Sequence, residues 1–227
     1  RIGRPISVAE QNEYKTIEAY SEFLRKKTYI LANPYAKESK LLTPPTLKIT
    51  RSPKEIATPA NSEKMIAEVD TLRNTDCRLL HSKNYEVFFA EADKIPNILH
   101  EIGRLREITF REVGEGTNKS IDLDKYDQYY HHLFLWDETA KKIAGAYRMG
   151  LGSQIFPKYG IEGFYLNELF RFEPELDDMM DQSIEMGRAF IIKEYQQKPM
   201  PLFLLWKGII HTTLRFPEHK FLLGGVS

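Results

Sequence analysis

Cysteine, net charge and long apolar runs are all scarce in this chain, and each shortage removes a class of function. A single cysteine, Cys77, stands among 227 residues, so no internal disulfide can form and a reducing compartment such as the cytoplasm is expected. No histidine-bearing motif accompanies Cys77, which reads as an inert thiol rather than a nucleophile. Basic and acidic side chains number 32 each. That balance argues against a nucleic-acid partner, because phosphate binding shows as a basic excess. The best apolar run, Pro201 to Ile210, is short and broken by Lys207; it reads as a buried helix, not a bilayer span. Arg1-Ile2-Gly3-Arg4-Pro5 has neither an initiating methionine nor an apolar leader core, so the chain is expected to begin inside something longer.

What is present divides into three regions by composition. In residues 1–35, Ile2 to Ile6 reads as a strand end and Ser7 as the N-cap of a helix over Val8 to Tyr29, with Tyr14, Ile17, Tyr20, Phe23 and Leu24 at helical spacing. Residues 36–61 are rich in proline, threonine, lysine and serine and read as a linker. Residues 62–227 carry the main domain. Its pattern predicts a helix over Ser62 to Leu80, a strand at Tyr85 to Ala90 and a helix from Ile95 to Val113. A hairpin of Tyr129 to Trp136 and Lys142 to Met149 follows, then a strand at Ala189 to Ile192, a helix from Pro199 to Leu214 and a last strand at Lys220 to Leu223. This order predicts an α/β (α+β) fold: a mixed, largely antiparallel sheet flanked by helices.

Four polar clusters interrupt the apolar elements of that domain. They are Leu105-Arg106-Glu107-Ile108-Thr109-Phe110-Arg111, Asp122-Leu123-Asp124-Lys125-Tyr126-Asp127, Gly145-Ala146-Tyr147-Arg148 and Glu185-Met186-Gly187-Arg188. Charges in otherwise core-like segments are costly to bury unless they are paired or used.

In this order the clusters resemble those of acyl-acyl-carrier-protein-dependent N-acyltransferases of the GNAT superfamily, of the ornithine-lipid and glycine-lipid type often labelled hemolysin-like. The acyl-homoserine lactone synthases share a sparser form of the same order. Residues 1–35 resemble the C-terminal end of a lysophospholipid acyltransferase-like domain, through Ile2-Gly3-Arg4-Pro5-Ile6 and the helix after it. The resemblance implies a GNAT-like sheet, with its remainder expected beyond Ser227. It also implies transfer of a 3-hydroxyacyl-type group to the amino group of ornithine, glycine or a similar amino acid, in membrane aminolipid synthesis at the inner membrane surface. Two other readings remain: a lactone synthase, which needs S-adenosylmethionine and a lone domain, and a non-enzymatic, membrane-interacting hemolysin-like protein, which needs an insertion segment that is not evident.

Acyl transfer from a thioester to an amine needs a base for the ammonium, donors for the oxyanion and a proton for the thiolate. Glu185 is the first candidate base and Glu168 the second; an ion pair of Glu185 with Arg148 or Arg188 is the structural reading of the same residue. Arg106, Arg148 and Arg188 are candidates to hold carboxylates, either the substrate's or those of Asp124 and Asp127 in a closing loop, and these charges are expected to act as a unit. Backbone N–H groups of Ala189 to Ile191, near a local irregularity, are the expected oxyanion donors. The N-terminus of the helix near Pro199 or Pro201 is the expected phosphate site. No glycine-rich phosphate loop lies between Glu194 and Leu205, which favours acyl carrier protein over acyl-CoA as donor. Neither a metal nor a tightly bound cofactor is expected.

Phe110, Trp136, Phe170 and Trp206 are candidates for an acyl slot, with Phe134, Tyr147, Phe164 and Phe190 behind them. Gly114-Glu115-Gly116-Thr117 reads as a mobile loop rather than a phosphate cradle. His132 to Asp137 matches the His-x4-Asp pattern of O-acyltransferases by letter only, because it spans a strand and its turn.

Overall fold

Ser7 and Asn61, short polar residues ahead of periodic apolar runs, each start a helix, and they do so in separate units of the chain. The computed structural model describes residues 6–32 and 52–225, and the chain divides into units 1–50 and 51–227. In the first unit Ser7 forms a reciprocal capping box with Glu10 at the start of α1 (Val8–Asn12). The one helix expected here is two. Thr16 accepts the Ala19 N–H at 3.2 Å and so begins α2 (Ile17–Ala32). Tyr14 stacks on Phe23 at 4.6 Å between ring centres. Residues 2–5 of the strand end expected at Ile2 to Ile6 and the greater part of the linker, 36–51, lie outside the described residues.

The second unit begins before the linker was expected to end. Lys54 and Ala57 donate backbone N–H groups to Asn118 and Ser120, at 3.0 and 2.8 Å, and the Ala60 N–H reaches the Glu101 carboxylate at 3.0 Å. Residues 54–60 are therefore held against the domain. Asn61 caps α3 (Ser62–Arg73) through the Lys64 N–H. The helix stops seven residues short of the expected Leu80, because Thr75 turns its N–H and hydroxyl back onto the Leu72 carbonyl. Leu79 and Leu80 then enter a strand that the sequence pattern did not reveal.

Six strands follow one another in space as they do in sequence: β1 (Arg78–Ser82), β2 (Tyr85–Glu91), β3 (His131–Asp137), β4 (Lys142–Leu151), β5 (Ser183–Ile191) and β6 (Phe221–Gly224). The first five are antiparallel, and β6 runs parallel to β5. A parallel pair needs a crossover, which α8 (Pro199–Arg215) provides after the short α7 (Lys193–Gln196). The mixed, largely antiparallel sheet expected from the sequence is the one that forms.

Both faces of the sheet are covered, which is why the middle of β3, Leu133 to Trp136, is apolar without a break. Phe134 and Trp136 pack with Ile98 and Ile102 of α4 (Pro96–Glu112) and with α3. Leu133 and Leu135 pack with Leu204, Leu205 and Ile209 of α8. Between β4 and β5 the chain makes an excursion absent from the sequence reading: α5 (Gly152–Tyr159), several 3-10 turns and α6 (Asp177–Asp181). Its residues Ile155, Phe164 and Met180 enclose Tyr126 and Tyr130. β5 starts at Ser183, well before the expected Ala189. Its first half, with Glu185, Gly187 and Arg188, lacks the usual strand residues; Ser183 to Met186 are flanked by β4 and β6, and Gly187 pairs with β4 alone.

Candidate active site

β6 accompanies β5 only from Ser183 to Met186. From Gly187 onward the outer edge of β5 has no strand partner among the described residues, so the sheet opens there. β5 also bulges at this point. Ala146 faces Phe190 and Arg148 faces Gly187, two steps on β4 against three on β5. The irregularity includes Arg188, whose φ of +52° is left-handed. Ile184, Met186 and Ile191 pack toward α8, while Phe190 packs on the α3 and α4 side. The extra residue keeps Arg188 on the side of Glu185, where its guanidinium lies 5.1 Å from the Tyr165 ring.

Glu185 is 3% exposed. Its carboxylate accepts the Tyr130 hydroxyl at 2.5 Å, the Tyr165 N–H at 3.1 Å and the Leu166 N–H at 3.0 Å. Burial raises its pKa, and the hydrogen bonds from Tyr130 and the two amides, with the Arg148 charge, offset this only in part. The ion pair of the structural reading is absent: Glu185 has no salt-bridge partner among the described residues. Glu185 is thus a buried base candidate with heightened proton affinity. Glu168 is not its equal. Its side chain is half exposed, accepts from the Tyr126 hydroxyl at 2.7 Å and lies 3.5 Å from Lys125. It does not line the cavity that holds Glu185.

The charges expected to act together do meet, and Asp122 joins them. Arg106 donates to the Asp122 carbonyl from two nitrogens, at 3.1 and 2.5 Å, and to Asp127 at 3.0 Å. Arg148 binds Asp124 at 2.6 Å and lies 3.3 Å from Asp127. Its guanidinium is ringed by Tyr126, Tyr130 and Tyr165 at 5.5, 5.3 and 5.1 Å. Asp124 and Asp127 form a capping box, so the local turn and the ion network share the same carboxylates. Burial works to raise the Asp127 pKa, yet Arg106 and Arg148 outweigh it and leave the group below the usual range. At Asp122 burial wins and the pKa is raised. Gly103 of α4 lets this loop approach: its carbonyl accepts the Asp122 N–H at 3.1 Å, and a Cβ there would stand 2.6 Å from Leu123 Cγ.

Beside Glu185 and Arg188 lies a cavity of about 490 Å³ whose walls include Phe110, Tyr147, Leu166 and Phe170. A second, of about 330 Å³, shares Phe110, Tyr147 and Ala189 with it. A groove of about 740 Å³ at the start of α8 shares Ile191, Gln196 and Leu202 with the second. Together they make an apolar trough along the open edge of β5. Two of the four proposed acyl-slot residues, Phe110 and Phe170, line the chamber of Glu185. Trp206, 59% exposed, lines only the groove at the far end. Trp136 lines none of it. It is buried between the sheet and the α3 and α4 helices, with its indole N–H on Glu138 at 3.0 Å; Phe134 and Phe164 are core as well. Helical and strand periodicity marks which residues are buried and cannot say which buried face borders a void.

His132 and Asp137 do not meet in the structure. His132, wholly buried, bonds the Asp127 carbonyl at 2.9 Å, whereas Asp137 accepts from Asn84, Tyr195 and the turn amides. Nor is the Gly114 to Thr117 loop a phosphate cradle, since Glu107 accepts the Thr117 N–H and hydroxyl at 3.0 and 2.5 Å. Among the described residues no group of His, Cys, Asp and Glu is placed to hold a metal, and no helix is long and apolar enough to cross a membrane. Sequence reasoning missed Tyr130, Tyr165 and Leu166, the three residues that hydrogen-bond Glu185. The only hint was the pair Tyr129-Tyr130 directly after the acidic loop.

The strand order and the parallel last pair make a GNAT-like fold. Residues 105–206 match the model of the acetyltransferase (GNAT) domain. Two relatives carry the name glycine N(alpha)-acyltransferase. The one from Bacteroides thetaiotaomicron is 33% identical over 184 residues, which is 76% of this chain and 54% of its own. The one from Phocaeicola vulgatus is 33% identical over 181 residues, 75% of this chain and 55% of its own. The chain thus spans about half the length of these relatives. Among solved structures, that of the AHL synthase LasI aligns with a TM-score of 0.41 at 13% identity, over 63% of this chain and 72% of that one, a likeness too low to carry an argument.

Proposed function

We propose that this chain belongs to an N-acyltransferase that moves a fatty acyl group, of the 3-hydroxyacyl type, from acyl carrier protein to the amino group of a glycine-type amino acid in aminolipid synthesis. The observation that carries this reading is Glu185, a buried carboxylate with raised proton affinity at the head of an apolar trough. The ammonium of the acceptor gives its first proton to Glu185, directly or through a water. The free amine attacks the thioester carbonyl. The oxyanion is received by backbone N–H groups of Ala189 to Ile191, on the edge that β6 leaves open. Collapse of the adduct breaks the C–S bond, and the second amine proton goes to the departing thiolate.

The names of the relatives favour glycine over ornithine as acceptor. Three features favour a carrier-protein donor over acyl-CoA. The glycine-rich loop is missing, the prolines Pro199 and Pro201 remove two of the first amide donors of α8, and Lys198 and Lys207 flank the groove there against an acidic carrier. The trough along β5 has room for a long chain, in keeping with a lipid product.

The test uses the full-length protein, 3-hydroxyacyl carrier-protein thioester and a panel of glycine, serine, ornithine and lysine, with products read by mass spectrometry. N-acylglycine is expected, and Glu185→Gln is expected to abolish it while the fold persists. Absence of any N-acyl amino acid would sink the reading.

A further inference from the structure

We propose that Arg188 is the acceptor-recognition residue: it binds the carboxylate of a small α-amino acid and so presents the neighbouring amine to Glu185. This deepens the acyl-transfer reading and rests on it for the identity of the reaction. The argument starts from a comparison of three arginines in one network. Arg106 is 1% exposed and its donors are taken by Asp122 and Asp127. Arg148 is equally enclosed and bonds Asp124 at 2.6 Å. Both guanidinium groups are occupied in holding the acidic loop.

Arg188 is different in every respect. Its terminal nitrogens stand 3.7 Å from Asp122 and 3.8 Å from Asp124, outside hydrogen-bond reach. Its Nε is buried with no hydrogen-bond partner. A buried donor left unmade is costly, so the free molecule holds an unmet demand at this point. The two aspartates nearby and the Tyr165 ring at 5.1 Å keep the planar group in place without using its donors.

Position supports the assignment. Arg188 and Glu185 line the same cavity, three residues apart on one strand. Regular alternation would place residues three apart on opposite faces. The bulge, with Arg188 at φ +52°, brings both to one face. That conformation is unfavourable for a residue other than glycine, so the fold maintains it against a cost. A base for an ammonium and a guanidinium fork for a carboxylate, side by side, match the two charged ends of an α-amino acid. An amine with no carboxylate would leave Arg188 as unsatisfied as it is now.

The test compares acceptors that differ only in the carboxylate. Full-length protein with acyl carrier-protein thioester is assayed with glycine and with glycinamide. The wild type is expected to prefer glycine by ~100-fold in kcat/KM, the scale of a charged hydrogen-bonded pair. Arg188→Gln is expected to lose that preference, mostly through the KM for glycine, and to leave glycinamide within about threefold; Arg188→Lys should recover part of it. Equal losses on both acceptors, or a loss confined to the KM of the thioester, would overturn the proposal. Thermal melting of both variants checks that they fold. Glycine binding, followed by NMR with 13C-glycine and 13C-glycinamide, reads Arg188 without turnover, so failure of the acyl-transfer reading and failure of this one are told apart. Equal binding of the two ligands by the wild type would also overturn it.

Discussion

The Tyr130 hydroxyl donates to the Glu185 carboxylate at 2.5 Å and accepts the Tyr165 N–H at 3.1 Å. Tyr130 is itself buried against Gly150, where a Cβ would meet its ring at 2.5 Å. The phenol therefore has one position, and with it the Glu185 carboxylate has one orientation. Because it hydrogen-bonds the ionised carboxylate, Tyr130 lowers a pKa that burial raises.

Tyr130→Phe removes that donor and keeps the ring. The Glu185 pKa is expected to rise further, moving the acid limb of the kcat/KM profile up by about one to two pH units, the range of one hydrogen bond to a charged group. A profile that falls in height without moving would assign Tyr130 to packing alone.

Gly187 faces the opening, and a Cβ added there meets nothing within 4 Å. Gly187→Leu is expected to leave the melting temperature within a few degrees while cutting transfer by at least about tenfold, since misplaced reactants forfeit the gain from orientation. Full activity in Gly187→Leu would place the substrates elsewhere.

The Arg106, Asp127 and Arg148 charges are buried and share partners. Arg106→Met alone leaves carboxylates unpaired and is expected to cost about 3–5 kcal/mol in urea unfolding. Arg106→Met with Asp127→Leu is expected to cost less than the sum of the two single changes, by 1 kcal/mol or more. Simple additivity would dissolve the network into independent pairs.

His131 and His132 are buried without full partners, and burial lowers both pKa values to about 4. The unfolded chain takes up protons near pH 6.5, the ordinary histidine value, while the folded one does not until about pH 4. Between these limits the unfolded state binds more protons, so stability falls as the pH falls, by up to about 1.4 kcal/mol per unit for each histidine. Urea midpoints measured from pH 7 to 4 check the slope. His131→Phe should make it shallower by about half of the histidine contribution.

Much of the fold was legible in the chain. Two amphipathic helices, the β3–β4 hairpin and the crossover helix follow from local patterns of apolar residues, caps and turns, which act over a few residues and leave a trace in each segment. The break between α1 and α2, the shortened α3, and strands β1 and the first half of β5 were not legible. Thr75 competes locally with the helix, and the charged start of β5 is a strand only because β4 and β6 flank it.

The sequence by itself determined the chemistry available: which carboxylates and arginines lie in apolar surroundings, and in what order. Only the tertiary structure decided their surroundings. It separated Glu185 from Glu168 by burial, moved Trp136 into the core and Trp206 to the far groove, and added Tyr130 and Asp122 to the site. A one-residue bulge turned Arg188 to the side of Glu185. Such distinctions depend on which face of an element meets which neighbour across the fold, and one residue of register is enough to reverse them.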